Sequence, residues 1–283
     1  MAGNESPCVF STLPFGDSMR FIAALDQSGG STPGTLERYG VQYTEDNMMD
    51  KIHDMRLRIV NSPAFDDSNI SAAILFKDSV TRGMVNILDE KGIDAFLKID
   101  EGLDTDGTMK PFDVNAICEW ATNGIGPKIY GTKMRSVVKN IDMIKPVLKQ
   151  QFSIAKTVSE YGLVPIIEPE VEINNPDKEA IEQELYYQLD WHRLNFPVIF
   201  KLTPPAVPNL YHNLTVHHNV EQVVFLSGGY TIAGACSKLR LNNNVVASFS
   251  RALSEGLKYE LTDKEFNDIL SNNIERIAEA SDG

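Results

Sequence analysis

Eight short β-branched and aromatic runs, helical apolar periods between several of them, and polar residues recurring where the runs end predict an α/β fold, a single (β/α)8 TIM barrel. Strands buried on both faces and alternating with helices belong to a parallel sheet, and eight such units close a barrel. The first run, FIAALD from Phe21, leads into Asp26 and the turn DQSGGS, where Gly29 and Gly30 are flanked by hydroxyls. AAILF from Ala72 brings no polar residue to its end at Phe76, whereas AFLKID from Ala95 brings Lys98. KIYGTKM from Lys128 carries Lys133, with Arg135 just beyond it. A helical stripe of Leu148, Phe152, Ala155 and Val158 follows and is stopped by Gly162. LVPIIEPEV from Leu163 carries Glu168 and Glu170. Ile181, Leu185 and Leu189 then lie one helical turn apart, with Asn175 as the expected N-cap and Pro176 at the first helical position. VIFKLT from Val198 contains Lys201 and runs into a segment rich in Pro and Asn, so any helix there is short or irregular. QVVFLSGG from Gln222 ends in Ser227 and Gly228, and VVASFSR from Val245 ends in Arg251. Thr262 and Glu265 form a capping box ahead of Phe266, Ile269, Ile274 and Ile277. Residues 1–283 read as one barrel domain, with a short N-terminal extension over about residues 1–20 packed outside it.

Composition excludes several functions. The chain is 42% hydrophobic and 23% charged, and no apolar run approaches the length of a membrane span. Its first residues show neither a basic start nor a continuous apolar segment, so a cytoplasmic protein is expected. A net charge of −13 opposes nucleic acid and anionic membranes, and neither is expected as a partner. Cys8, Cys118 and Cys236 are odd in number and far apart, which predicts free thiols. His212, His217 and His218 fall in the irregular segment and His53 and His192 in predicted helices. No histidine ends a strand, so surface histidines and no metal site are expected.

The polar strand ends point to one mouth. Side chains alternate faces along a strand, so Glu168 and Glu170 point the same way, as do Lys133 and Arg135. A barrel keeps its active site at that end. Ser227, Gly228 and Gly229 after the seventh strand, with Arg251 after the eighth, occupy the usual barrel position for a phosphate. The DQSGGS turn is a second candidate anion site, and two such sites across one mouth suit a bisphosphate. Lys201 ends an apolar strand, and Lys133 two strands away makes a neighbouring ammonium. Burial and like charge both favour a neutral amine, which attacks carbonyls, and Glu168 and Glu170 are placed to move the protons. Lys201 is thus a candidate Schiff-base lysine.

The motifs IAALDQSGGSTP, FLKID, YGTKMR, VPIIEPE, FKLTPP, FLSGGY and ASFSRAL together resemble class I fructose-1,6-bisphosphate aldolase, in the short form typical of microbes, over roughly Phe21 to Leu253. The resemblance implies a metal-independent lyase of glycolysis and gluconeogenesis with no cofactor. It would cleave fructose 1,6-bisphosphate reversibly to dihydroxyacetone phosphate and glyceraldehyde 3-phosphate. Lys201 matches the Schiff-base lysine and Glu168 its general acid/base, with Glu170 and Lys133 in the supporting network. Asp26 matches the carboxylate that takes the C4 hydroxyl proton. Ser227, Gly228 and Arg251 match one phosphate site; Ser28, Ser31, Lys98 and Arg135 match groups near the other end of the substrate. The chain departs from the family in three places. Gly34 and Thr35 stand where animal members carry basic residues that grip the C6 phosphate, and Glu101 replaces another. The catalytic C-terminal tyrosine has no counterpart in the final IAEASDG, which leaves Glu168 as the candidate for protonating the carbanion. A homo-oligomer is also expected. The rival readings are a Schiff-base aldolase for another sugar phosphate, a metal-dependent aldolase, and an aldolase-fold binding or adhesion scaffold.

Overall fold

Parallel strands and helices alternate through the computed structural model, which describes residues 20–123 and 129–282. In chain order they are β1 (Phe21–Leu25), α1 (Ser31–Tyr39), α2 (Met48–Val60), β2 (Ile70–Leu75), α3 (Lys77–Thr81), α4 (Met84–Glu90), β3 (Asp94–Lys98), α5 (Val114–Thr122), β4 (Ile129–Val137), α6 (Ile144–Glu160), β5 (Val164–Glu170), α7 (Lys178–Asp190), β6 (Val198–Leu202), β7 (Val220–Phe225), α8 (Ile232–Leu239), β8 (Val245–Ala247) and α9 (Asp263–Ser281). The strands hydrogen-bond in sequence order from β1 to β8. Beyond the last ladder, the Ala24 N–H donates to the Phe249 carbonyl at 3.2 Å and brings the two outer edges together. The result is the predicted (β/α)8 barrel. The expected N-terminal extension, Cys8 and Lys128 lie outside the described residues.

Two apolar layers hold the barrel together. Outward-facing strand residues such as Ala23, Leu25, Ile167 and Phe200 pack under the helices, while Ile22, Ala24, Ile74, Phe96, Ile166, Ile199, Val224 and Val246 fill the lumen. The period of two therefore sets both layers at once, as a sheet covered on both faces requires. Following the lumen residues upward along each strand leads from Ala24 to Asp26, from Ile166 to Glu168 and from Ile199 to Lys201. Chemistry begins where the lumen's hydrocarbon stops. At Gly131 a Cβ would lie 2.1 Å from the Val164 carbonyl oxygen and 2.5 Å from the Phe96 ring, so β4 and β5 approach there only because the side chain is missing.

Helix ends follow the sequence signals with one exception. Thr262 accepts from the Glu265 N–H at 3.3 Å and Glu265 accepts from the Thr262 N–H at 2.9 Å, completing the expected box at the start of α9. Gly162, at φ 75°, ends α6 as predicted. The segment after β6 holds only a 3-10 turn, His212–Val216. Helix α7, however, starts at Lys178 with Asp177 as N-cap, not at Pro176 after Asn175. The Asn175 side chain is committed elsewhere. Its Oδ1 accepts from the Asp177 N–H at 2.9 Å and its Nδ2 donates to the Lys139 carbonyl at 2.9 Å, forming a turn ahead of the helix. Two histidine expectations also change. His53 is buried on the inner face of α2, and His192 lies past the end of α7, stacked on Phe152 with ring centroids 3.6 Å apart.

At the N-terminal end of the barrel, Glu221 on β7 accepts a hydrogen bond from the Tyr130 hydroxyl on β4, yet burial pushes its carboxyl up to about 7 from 4.5. In the unfolded chain this group ionises near 4.5, so the fold loses stability as pH rises from there through 7 and the full deficit stands above 7. Glu221→Gln removes that deficit. Its melting temperature is expected to exceed that of the parent by about 2–4 °C at pH 8 and to match it at pH 5. An equal difference at both pH values, measured by calorimetry, would trace the effect to packing instead.

Candidate active site

A cavity of about 910 Å³ opens at the C-terminal ends of the strands, and every sequence-predicted site residue lines it. Its centre is a charged relay held by four strand ends, those of β1, β4, β5 and β6. Lys133 Nζ lies 3.0 Å from Asp26 Oδ2 and 2.5 Å from Glu168 Oε2, while Lys201 Nζ lies 3.8 Å from Glu168 Oε1. Asp26, Lys133, Glu168 and Lys201 are all buried. Register explains the meeting: Ile166 on β5 pairs with Ile199 on β6, so Glu168 and Lys201 stand level two residues above them, and Lys133, level with Ile166, reaches Glu168 from one layer below.

Electrostatics separate the two lysines. Burial draws the Lys201 ammonium below its ordinary range, and Lys133 pushes it the same way against the attraction of Glu168. Lys133 is buried as deeply, but Asp26 and Glu168 hold its pKa well above the ordinary value. Burial alone would raise the pKa of Asp26; the ammonium groups of Lys133, Lys201 and Lys98 overcome it and hold the carboxylate well below its usual range. One lysine is therefore a fixed cation and the other a potential free amine.

Around this centre the rim divides into pairs. Arg135 Nε contacts Glu170 Oε2 at 2.5 Å, which fixes the guanidinium beside a carboxylate. Lys98 Nζ donates to Ser28 Oγ at 2.6 Å and lies 3.1 Å from Asp100 Oδ1. Ser28 and Ser31 tie the first turn of α1 to itself: the Ser28 N–H donates to Ser31 Oγ at 3.1 Å, and that hydroxyl donates back to the Ser28 carbonyl at 3.0 Å. Across the mouth, Gly228 and Gly229 have φ of 56° and 101°. Two consecutive left-handed residues require glycine and turn the backbone after β7 into an open cradle beside Ser227 and Arg251.

Sequence reasoning missed several supports. Arg56 on α2 is fully buried and donates to the Gln27 carbonyl and, at 3.0 Å, to Ser79 Oγ, which pins the turn that carries Asp26. Gln151 on α6 donates to the Glu168 carbonyl at 3.1 Å. Asp100, one alternation beyond Lys98, also accepts from the Arg135 N–H at 3.2 Å. Lys77, directly after the second run, lines the cavity although that run offered no polar end. Among the described residues no group of three His, Cys, Asp or Glu side chains stands where it could hold a metal ion. No helix there is long and apolar enough to cross a membrane.

Curated relatives are similar over most of the chain. A Porphyromonas gingivalis protein named fructose-bisphosphate aldolase class 1 is 42% identical over 283 residues, spanning 92% of this chain and 94% of its own length. One of the same name from Clostridium acetobutylicum is 43% identical over 279 residues, spanning 92% and 95%. The chain belongs to the class 1 fructose-bisphosphate aldolases. No family model matches this aldolase. Its barrel superposes on a solved fructose-bisphosphate aldolase from Plasmodium falciparum with a TM-score of 0.76, covering 93% of this chain and 90% of that one. At 18% identity that likeness carries the fold alone.

Proposed function

We propose that this aldolase cleaves fructose 1,6-bisphosphate reversibly to dihydroxyacetone phosphate and glyceraldehyde 3-phosphate through a Schiff base on Lys201. The observation that carries this reading is the buried relay from Lys201 through Glu168 and Lys133 to Asp26. Lys201 Nζ, with its ammonium form disfavoured, attacks the C2 carbonyl to give a carbinolamine. Glu168 protonates the departing hydroxyl, water leaves, and an iminium remains. Asp26 takes the C4 hydroxyl proton; C3–C4 breaks, and its electron pair flows into the iminium as glyceraldehyde 3-phosphate departs. The proton that Asp26 took from the C4 hydroxyl balances the one the enamine takes at C3, passed through Glu168, the nearest carboxyl to the imine nitrogen. Hydrolysis of the iminium then releases dihydroxyacetone phosphate and returns to Glu168 the proton it gave to the departing hydroxyl. Lys133 remains charged and holds both carboxylates in place. Ser227, Gly228 and Arg251 take the phosphate on C1, while Ser28, Ser31 and Lys98, with Arg135 and Glu170 as a fixed pair, line the path toward C6.

The test is cleavage of fructose 1,6-bisphosphate in excess EDTA. Turnover is expected to be unchanged by the chelator, because every step is carried by side chains. Loss of turnover with EDTA and its return with zinc would favour a metal-dependent aldolase. We also take the enzyme to be a cytoplasmic homo-oligomer acting in glycolysis and gluconeogenesis. Cell fractionation and light scattering decide those two points.

A further inference from the structure

We propose that Arg38, on α1, is a ligand of the substrate's C6 phosphate and sets the preference for a bisphosphate over a monophosphate. The proposal rests on the aldolase reading above and deepens it. It starts from a charge account of the cavity. Lys133 is committed to Asp26 and Glu168, Arg135 to Glu170 and Lys98 to Asp100, and Lys201 is the nucleophile. Lys77 lies over the Trp120 ring, 5.2 Å from its centroid. Lys77 makes no ion pair among the described residues but stands after β2 with its ammonium turned to that ring, whereas Arg38 and Arg251, both exposed and both lining the cavity, make neither an ion pair nor a ring contact among them. Partial burial and the neighbouring Arg251 guanidinium lower the pKa of Arg38, so two unpaired cations face one space and repel each other. A ligand with two phosphates, roughly −3 to −4 in total, removes that repulsion.

Position assigns the two arginines to different phosphates. Arg251 Nη1 lies 3.4 Å from where a Cβ of Gly229 would stand, over the cradle that follows β7. β7 is the neighbour of β6, which carries Lys201, and the C1 phosphate is attached one carbon from the imine. Asp26 works at C4, so the rest of the sugar extends past β1 toward α1. There Arg38 Nη1 lies 3.4 Å from where a Cβ of Gly34 would stand, and its Nη2 donates to Thr35 Oγ1 at 3.1 Å. The guanidinium folds back over a position where this chain has no side chain, one turn into a helix whose start borders the DQSGGS loop. Arg38 thus brings its charge over Gly34, within ordinary contact distance of where a Cβ would stand. A planar guanidinium can donate two hydrogen bonds to one phosphate, which a bare helix face cannot.

The test compares cleavage of fructose 1,6-bisphosphate and fructose 1-phosphate by the full-length protein, its Arg38→Gln and Arg38→Lys variants, and Gly34→Lys in the Arg38→Gln background. Arg38 is exposed, and melting temperatures close to the parent are expected for all three variants. Arg38→Gln is expected to lower the ratio of kcat/KM for the bisphosphate over the monophosphate by about 10- to 100-fold, mostly through KM. Arg38→Lys retains part of that ratio, and a lysine at 34 restores part of it to Arg38→Gln. A ratio unchanged by Arg38→Gln overturns the assignment. So does an equal loss on both substrates, which would place Arg38 on the shared phosphate or on the fold. If the parent cleaves neither sugar phosphate, the aldolase reading itself falls and takes this inference with it.

Discussion

Lys201→Met is expected to abolish cleavage, with a loss of about 10^4-fold or more, because no bond to C2 forms without the amine. The same substitution identifies the mechanism as well as the residue. With dihydroxyacetone phosphate and borohydride, the parent should lose activity and carry one adduct per chain on the peptide containing Lys201, while Lys201→Met should carry none. The chain offers Lys133 as an internal control. It is as buried as Lys201 and touches the same carboxylate, but two anions keep it protonated and therefore unreactive. An adduct on Lys133, or on any lysine other than Lys201, would overturn the division of labour between the two.

Asp26→Asn is the second large effect, and it should separate the two halves of the reaction. Cleavage is expected to fall by about 10^2- to 10^4-fold, as when a general base is lost, while borohydride still traps dihydroxyacetone phosphate on Lys201. Because Lys133, with Lys98 behind it, holds Asp26 ionised well below the usual carboxylate range against its burial, its protonation should not appear in the acid limb of the kcat/KM profile. Turnover close to that of the parent, or trapping lost along with cleavage, would reassign Asp26 to holding Lys133 in place.

The catalytic centre was legible because strand geometry made it so. A period of two fixes which residues share a face, and Lys201, Glu168 and Asp26 are each the next inward position after an apolar lumen residue. What escaped depends on helix phase and on long-range partners. Arg38 reaches the mouth only because of how α1 is rotated against the barrel, and nothing in TPGTLERYG specifies that angle. Arg56 and His53 lie on the buried face of α2, where a polar residue is tolerated only if a distant group satisfies it; for Arg56 that group is the Gln27 carbonyl. Asn175 was read as a cap because Asn before Pro ordinarily is one, but the Lys139 carbonyl across the loop competes for its side chain. Arg135 was readable as a cation at the rim, yet its neutralisation by Glu170 required the β4 and β5 register.

The meeting of β8 and β1 has a mechanical consequence. Seven adjacent strand pairs are zipped by ladders, but this seam among the described residues has no ladder of its own and is bridged by the Ala24 to Phe249 bond and by the Gln27 Nε2 to Ser250 Oγ bond at 2.8 Å. The cylinder is therefore stiff around most of its circumference and compliant along one slit. Lys133, Glu168 and Lys201 sit on the stiff arc, so the atoms that exchange protons keep their spacing. Asp26 and the α1 turn stand on one lip of the slit and Arg251 on the other. Opening along that line would widen the gap between the two ends of a bound sugar and leave the Lys201 side of the mouth unchanged, an exit for the first product to leave under the mechanism proposed above. Amide exchange faster at Ala24 than along the β4–β6 ladders would be the signature of that compliance.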